Sequence, residues 1–155
     1  MARIIRRVIL TVCALLLAPV VTSALASKAI AATVHALDGN DWRIVTDPKN
    51  EGRKAKWFAA PRPEAKPAKV PWIIQEAFPG YHGVAWYWHD FLPPANPHAQ
   101  GRYLLRFWNV DYLADVWLNG VHVGQHEVAC EPFVLDVTET VRPQASFASF
   151  IRLLA

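Results

Sequence analysis

A two-residue step, Asn119-Gly120, constrains the fold of this 155-residue chain more than any other feature. It separates two short apolar runs, Val-Trp-Leu at residues 116–118 and Val-His-Val at residues 121–123. A type I′ turn needs positive φ at both central residues, and asparagine followed by glycine meets that need at low cost. The sequence therefore predicts an antiparallel β-hairpin over residues 115–123.

Residues 84–91 show the alternation of another strand. Trp86 and Trp88 fall on one face and the residues between them on the other, which is the two-residue period of a strand. Further strands are predicted at residues 36–45, 102–110, 132–137 and 147–154. Short strands with turn residues between them, and no helical periodicity, predict an all-β fold, an antiparallel β-sandwich or jelly roll. Trp117 and one of Trp86 and Trp88 are expected in its core.

Residues 46–71 differ from the rest of the chain in composition. They contain five prolines and seven basic residues, with little apolar periodicity. Proline removes a donor from a strand ladder, so this segment is predicted to be a surface loop or an extended stretch. Its charged residues are expected to be solvated.

The first 26 residues have the pattern of a secretory signal peptide. Arg3, Arg6 and Arg7 precede an apolar run, and Ala-Leu-Ala at 24–26 resembles a cleavage site. The expected location is secreted or periplasmic, with no membrane attachment after cleavage and a mature domain at residues 27–155. Removing three of the 16 basic residues leaves 13, equal to the 13 acidic residues. A neutral mature chain gives no support for nucleic-acid binding.

Cysteine and histidine spacing points to no cofactor or metal. Cys13 lies within the predicted signal, which leaves Cys130 as a structural or incidental thiol. His122 and His126 are four residues apart, but a strand leading into a loop need not place them on one face. No zinc site is therefore predicted, and nothing in the sequence identifies a calcium site.

Several motifs occur in an order that resembles one known domain. They are Val70-Pro71, Gly83-Val84-Ala85-Trp86-Tyr87, Leu104-Leu105-Arg106-Phe107, Val116-Trp117-Leu118-Asn119-Gly120 and Pro132-Phe133. Across residues 38–154 the chain resembles the N-terminal sugar-binding (galactose-binding-like) β-sandwich of family 2 glycoside hydrolases. That family contains β-galactosidases, β-glucuronidases and β-mannosidases.

The chain departs from the family pattern in three places. His89 stands where the family usually has arginine, which would weaken a buried ion pair. Residues 128–130 stand where the family has glycines, so larger side chains occupy a tight loop. The family's closing strand is not found after residue 154, and the sequence is therefore expected to be a fragment, a truncated gene model or a degenerate reading frame.

The resemblance implies a module that braces a catalytic barrel, and it implies that both catalytic glutamates lie on that barrel. No catalytic residue is predicted in this chain. The expected partners are a β-linked glycoside or glycan and the missing barrel. The alternatives are a stand-alone carbohydrate-binding module and a nonfunctional remnant.

Sugar binding by proteins uses aromatic faces, which stack on a pyranose, and polar groups, which take its hydroxyls. Loops on a rigid sandwich commonly carry such residues. The candidate sugar-binding residues are Trp72, Tyr81, His82, His126 and Glu127.

Overall fold

The fold is built almost entirely of antiparallel strands, as the sequence predicts. The computed structural model describes residues 32–141 and 147–154, with side chains as far as Val141. The strands are β1 Gly39–Thr46, β2 Lys66–Val70, β3 Val84–Phe91, β4 Leu104–Phe107, β5 Leu113–Leu118, β6 Val121–Glu127, β7 Phe133–Asp136 and β8 Phe147–Leu154. A 3-10 helix, Trp57–Ala59, and a four-residue helix α1, Ile74–Ala77, lie between strands. The predicted signal peptide, residues 1–26, lies outside the described residues.

Two sheets make up the sandwich. Six strands form the large sheet in the order β2-β1-β3-β8-β5-β6, and β4 pairs with β7 in the small sheet. The late strand β8 lies between β3 and β5, with Tyr87 opposite Ile151 and Val116 also opposite Ile151. The C-terminal strand therefore completes the middle of the large sheet, and the predicted antiparallel β-sandwich is confirmed.

The predicted hairpin is confirmed at Asn119-Gly120. The two residues have φ values of 51° and 79°, and Leu118 pairs with Val121 across the turn. Positive φ at both positions is the requirement that selected this residue pair.

The second strand of the hairpin differs from the prediction in two ways. It continues to Glu127 instead of leading into a loop, and it contains a β-bulge. Val116 pairs with Gly124 whereas Trp117 pairs with His122, so β6 holds one extra residue at this point. A one-residue insertion reverses which side of the sheet each later side chain faces. His122 and His126 consequently point to opposite sides of the large sheet.

One face of the large sheet packs on the small sheet, and we call the buried residues there the inter-sheet core. Alternate residues of the strands supply it, and Phe133 supplies the contact from β7. The buried members are Trp42, Ile44, Ile74, Ala85, Tyr87, Val110, Ala114, Val116 and Phe133.

The opposite face carries a second core, which we call the loop-covered core. It consists of Val45, Val84, Trp86, Trp88 and Trp117. Trp86, Trp88 and Trp117 are 0%, 1% and 4% exposed. The prediction of Trp117 as a core residue is confirmed, and both tryptophans of β3 are buried where one was expected.

Residues 46–71 are not only the solvated surface loop that the sequence predicts, because part of the segment packs on the loop-covered core and its end forms a strand. Trp57, Phe58 and Ala65 pack onto the loop-covered core, because three adjacent tryptophans would otherwise face water. The end of the segment is the strand β2, in which Pro67 pairs with Arg43. A proline fits there because β2 is an edge strand and needs no donor on its outer side.

No helix among the described residues is long and apolar enough to cross a membrane.

Candidate functional site

A cavity of about 290 Å³ opens at one end of the inter-sheet core. It lies where three segments converge: the approach to β1, the turn after β2, and the end of β4. The side chains that matter for its chemistry are Trp42, Trp72, Tyr87, Arg106, Phe107 and Trp108.

Fixed aromatic side chains form the floor of this cavity. The Trp42 indole N–H donates to the carbonyl of Leu37 at 2.8 Å, which sets the orientation of its ring. Phe107 stacks on Phe133 with ring centres 4.6 Å apart and an angle of 14° between the planes. Because packing and hydrogen bonds hold these rings, the floor is preorganised.

Two exposed tryptophans form the rim. Trp72 is 55% exposed and Trp108 is 72% exposed, whereas four of the seven tryptophans are buried. The Lys69 ammonium lies 4.6 Å from the centre of a Trp72 ring, and the Arg106 guanidinium lies 5.3 Å from a Trp108 ring. Each rim indole therefore carries a cation on one side.

Tyr87 contributes a hydroxyl-bearing side chain to the cavity wall. Its side chain is 7% exposed, and burial raises the pKa of Tyr87 to about 12. The phenol is therefore neutral near pH 7 and can both donate and accept a hydrogen bond. No hydrogen-bond partner for this hydroxyl is present among the residues that the structure describes.

Among the predicted sugar-binding residues, only Trp72 lies on this cavity. Tyr81 follows helix α1, and its hydroxyl donates to the carbonyl of Val84 at 2.7 Å. Burial is the main cause that raises the pKa of Tyr81. His82, the next residue, is exposed.

The remaining two candidates lie at the end of β6. His126 stacks on Phe133 with ring centres 4.3 Å apart, and its Nε2 is buried without a hydrogen-bond partner among the described residues. Glu127 accepts a hydrogen bond from the Tyr112 hydroxyl at 3.1 Å, and this bond raises the pKa of Tyr112. The structure thus does not gather the five candidates into one site, and their role in sugar binding stays a prediction.

Sequence reasoning missed Tyr87 and Trp108 as site residues. Tyr87 falls on the inward face of a regular strand, where its ring is expected to be core. Trp108 directly follows Phe107 at the end of β4. The sequence feature that could have identified Trp108 is an aromatic residue directly after a short predicted strand.

Comparison with known proteins gives consistent matches. No family model matches the chain. A β-glucuronidase of Paenibacillus borealis is 35% identical over 107 residues, covering 66% of this chain and 18% of that protein. The β-glucuronidase of Rattus norvegicus is 33% identical over 119 residues, covering 68% of this chain and 18% of that protein.

Solved structures lead to the same group of proteins. A β-glucuronidase of Ruminococcus gnavus, in complex with a C6-substituted uronic isofagomine, superposes with a TM-score of 0.68 at 25% identity. The match covers 77% of this chain and 21% of that chain. A Lactobacillus rhamnosus β-glucuronidase gives a TM-score of 0.65 at 29% identity, covering 76% of this chain and 20% of that one.

The described domain belongs to the N-terminal β-sandwich domains of family 2 glycoside hydrolases. The chain spans 18% of the length of the first curated relatives that it matches. The relation to a glycoside hydrolase is thus established for this domain.

The family's arginine position is filled by a histidine that keeps a carboxylate partner. His89 is buried, and its Nε2 lies 2.9 Å from a carboxyl oxygen of Asp41. Trp42 stacks on its ring at 4.6 Å. The hydrogen bond with His89 holds the pKa of the Asp41 carboxyl below its ordinary value.

The loop in which the family has glycines keeps a backbone that favours glycine. Cys130 has a φ of 64°, a conformation that costs a residue with a Cβ. Its thiol is free and exposed. The substitution therefore changes the side chains of this loop while a glycine-type conformation remains.

Within residues 32–141 and 147–154, no group of three or more His, Cys, Asp or Glu side chains is placed to hold a metal ion.

Proposed function

We propose that this chain is the noncatalytic N-terminal module of an exported β-glucuronidase-like glycoside hydrolase. It braces a catalytic barrel and contributes to sugar binding. The observation that carries the proposal is the match of this one sandwich to several β-glucuronidases, each over about a fifth of its length. Export is supported by the signal-like residues 1–26, and sequencing the N-terminus of the secreted product would test it.

Two acidic residues of the described domain, Asp47 and Asp136, have structural roles, which fits a noncatalytic module. Asp47 accepts the backbone N–H groups of Glu51 and Gly52. Asp136 accepts from Thr138 and Arg102. Hydrolysis with retention needs two carboxylates about 5–5.5 Å apart across the scissile bond, and the proposal assigns both to the barrel.

The outer face of the small sheet is a suitable bracing surface. Leu104 and Val134 are 52% and 43% exposed there. Arg106 lies opposite Val134, and Asp136 lies opposite Leu104, so charged and apolar groups alternate across the two strands. A mixed surface of this kind fits an interface between domains of one chain, which is more polar than an obligate interface.

A chimaera tests the bracing role. Residues 34–155 would replace the matched segment of the Paenibacillus borealis enzyme, and hydrolysis of 4-nitrophenyl β-glucuronide would be measured. We expect a soluble, active enzyme, whereas deletion of the segment should abolish activity. An insoluble or inactive chimaera, from a chain that unfolds cooperatively on its own, would contradict the proposal.

A pair of valine variants locates the bracing surface. Val134→Asp should reduce the activity of the chimaera, because it places a charge on the outer face of the small sheet. Val121→Asp changes a valine that is 53% exposed on the hairpin, and it should leave activity unchanged. Equal losses for the two variants would show that the small sheet is not the bracing surface.

The two other hypotheses give different results. A stand-alone carbohydrate-binding module would bind immobilised polysaccharide and gain nothing from a barrel. A nonfunctional remnant would aggregate or would show no cooperative unfolding.

A further inference from the structure

We propose that the cavity beneath Trp72 and Trp108 binds a uronate, that is, a pyranose bearing a carboxylate. This inference deepens the sugar-binding part of the proposed function and rests on it. It assigns one ligand class to one place in the fold.

Aromatic area at the rim supports a sugar ring as the ligand. Trp72 and Trp108 remain 55% and 72% exposed although a cation covers part of each. An exposed indole next to an apolar floor offers a flat surface for the C–H face of a pyranose. Such a pairing of apolar lining with a few polar groups is the usual composition of a small-molecule site.

The charge at the rim favours a carboxylate over a neutral sugar. Among the described residues, neither Lys69 nor Arg106 forms an ion pair with an acidic side chain. Asp38 is the one acidic residue in the wall. A carboxylate at the rim would gain charge-assisted hydrogen bonds from one of these cations, which a neutral hydroxymethyl group cannot match.

The Tyr87 hydroxyl supplies a further contact for the ring. Tyr87 as a residue is more than nine-tenths buried and lines the cavity, and its hydroxyl has no hydrogen-bond partner among the described residues. The hydroxyl oxygen is not among the fully buried polar atoms that lack a partner, so it is open to the cavity and can bond to a ligand oxygen there. This group therefore points to a polar ligand, since a purely apolar one would leave it unsatisfied.

The size of the cavity limits the ligand to one sugar. Its volume of about 290 Å³ is at the lower limit of ligand pockets, which run from about 300 to 1,000 Å³. A single ring fits inside, and any further sugars of a glycan would extend past the exposed rim.

Titration with matched sugars tests this inference. The probes are methyl β-D-glucuronide, its uncharged methyl ester and methyl β-D-glucoside, added to the full chain and followed by calorimetry and tryptophan fluorescence. We expect the glucuronide to bind about tenfold more tightly than either neutral sugar, and more weakly as salt is raised. Equal affinity for the three sugars, or no binding of the glucuronide, would overturn the proposal.

Variants place the binding in the cavity. Trp108→Ala, Lys69→Met and Tyr87→Phe should each weaken glucuronide binding about fivefold or more. Lys49→Met removes an exposed lysine elsewhere, and Tyr81→Phe removes a hydroxyl that already has a partner, so both should bind as the parent does. If all five variants bind alike, the ligand lies elsewhere and the assignment is wrong.

The two proposals fail in different ways. An active chimaera whose sandwich does not bind glucuronide would remove the cavity assignment and leave the bracing role. Glucuronide binding lost in Trp108→Ala, in a chain that cannot support a barrel, would keep the cavity assignment and remove the brace.

Discussion

The two faces of the large sheet are buried by different means. On one face, the small sheet meets alternating side chains and forms the inter-sheet core. On the other face, three tryptophans are covered by an irregular segment that contributes Trp57, Phe58 and Ala65. Regular strand pairing positions the first cover, whereas individual contacts position the second.

The contacts that hold the irregular cover can be named. The Asp47 carboxylate accepts the N–H groups of Glu51 and Gly52 and the indole N–H of Trp86, at 2.8–3.0 Å. The Trp88 indole N–H donates to the carbonyl of Trp57 at 3.0 Å. Few groups anchor this cover, so loss of one of them should affect it more than a comparable loss affects the inter-sheet core.

The largest effect should come from the tryptophan beneath this cover. Trp117 is 4% exposed and packs between Phe58 and Trp86, with ring centres 5.4 and 5.3 Å away. Trp117→Ala should lower the free energy of unfolding by about 3–5 kcal/mol, because it leaves a large cavity. Denaturant unfolding measures this.

The matched control is Trp108→Ala, at a site that is 72% exposed. Its effect on the free energy of unfolding should stay within about 0.5 kcal/mol. Similar losses for the two variants would mean that burial does not decide the cost of losing a tryptophan in this domain.

A smaller but more local effect is expected at the anchor of the cover. Asp47→Ala leaves three N–H groups near a buried site without their acceptor, and should cost about 2–3 kcal/mol. Hydrogen exchange should rise first in residues 48–65, with the strands of the inter-sheet core still protected. Asp38→Ala, in an exposed position, is the control. Uniform loss of protection would show that the two faces unfold as one unit.

Local signals in the sequence were sufficient for the strands of the inter-sheet core. Strand β3 and the Asn119-Gly120 hairpin follow from two-residue alternation and turn chemistry, which act within a few positions. The tryptophans of the loop-covered core were expected to be buried, but the segment that covers them was missed. Its position depends on distant pairs: Asp47 and Trp86, which hydrogen-bond, are 39 residues apart. Composition alone made residues 46–71 look like solvated chain.

The candidate site was predicted only in part, for a related reason. Trp72 could be named because it is an aromatic residue beside a turn. The cavity exists only where the residues after β2 meet the end of β4, and a linear pattern does not show that meeting. The bulge that separates His122 from His126 is likewise a property of strand pairing.

Two tyrosines allow a finer test of the inter-sheet side. Tyr81→Phe removes a hydrogen bond to the Val84 carbonyl and should cost about 1 kcal/mol. Tyr87→Phe removes a hydroxyl that has no described partner and should leave the free energy of unfolding nearly unchanged. Paired denaturant curves measure the difference. A larger loss of unfolding free energy for Tyr87→Phe than for Tyr81→Phe would show that the Tyr87 hydroxyl already has a hydrogen-bond partner within the fold. It would then not be available to a ligand.

The smallest effect is expected at the exposed edge of the inter-sheet core, where Asp41 meets His89. The hydrogen bond with His89 lowers the pKa of Asp41 below 3.8 in the folded state. A lowered carboxyl pKa contributes stability above the unfolded value, and the contribution is lost as pH falls through the folded value. Asp41→Asn should therefore lower Tm near neutral pH, and its difference from the parent should shrink below about pH 4.

A neighbouring substitution without charge separates this titration from packing. Leu92 is exposed and lines a surface groove together with Asp41 and His89, so the effect of Leu92→Ala on Tm should be equal at both pH values. If the Asp41→Asn difference does not narrow in acid, the Asp41–His89 hydrogen bond does not stabilise the fold. The edge of the inter-sheet core would then depend on the stacking of His89 on Trp42. The inter-sheet core would in that case be stable without a side-chain hydrogen bond at its edge, unlike the loop-covered core.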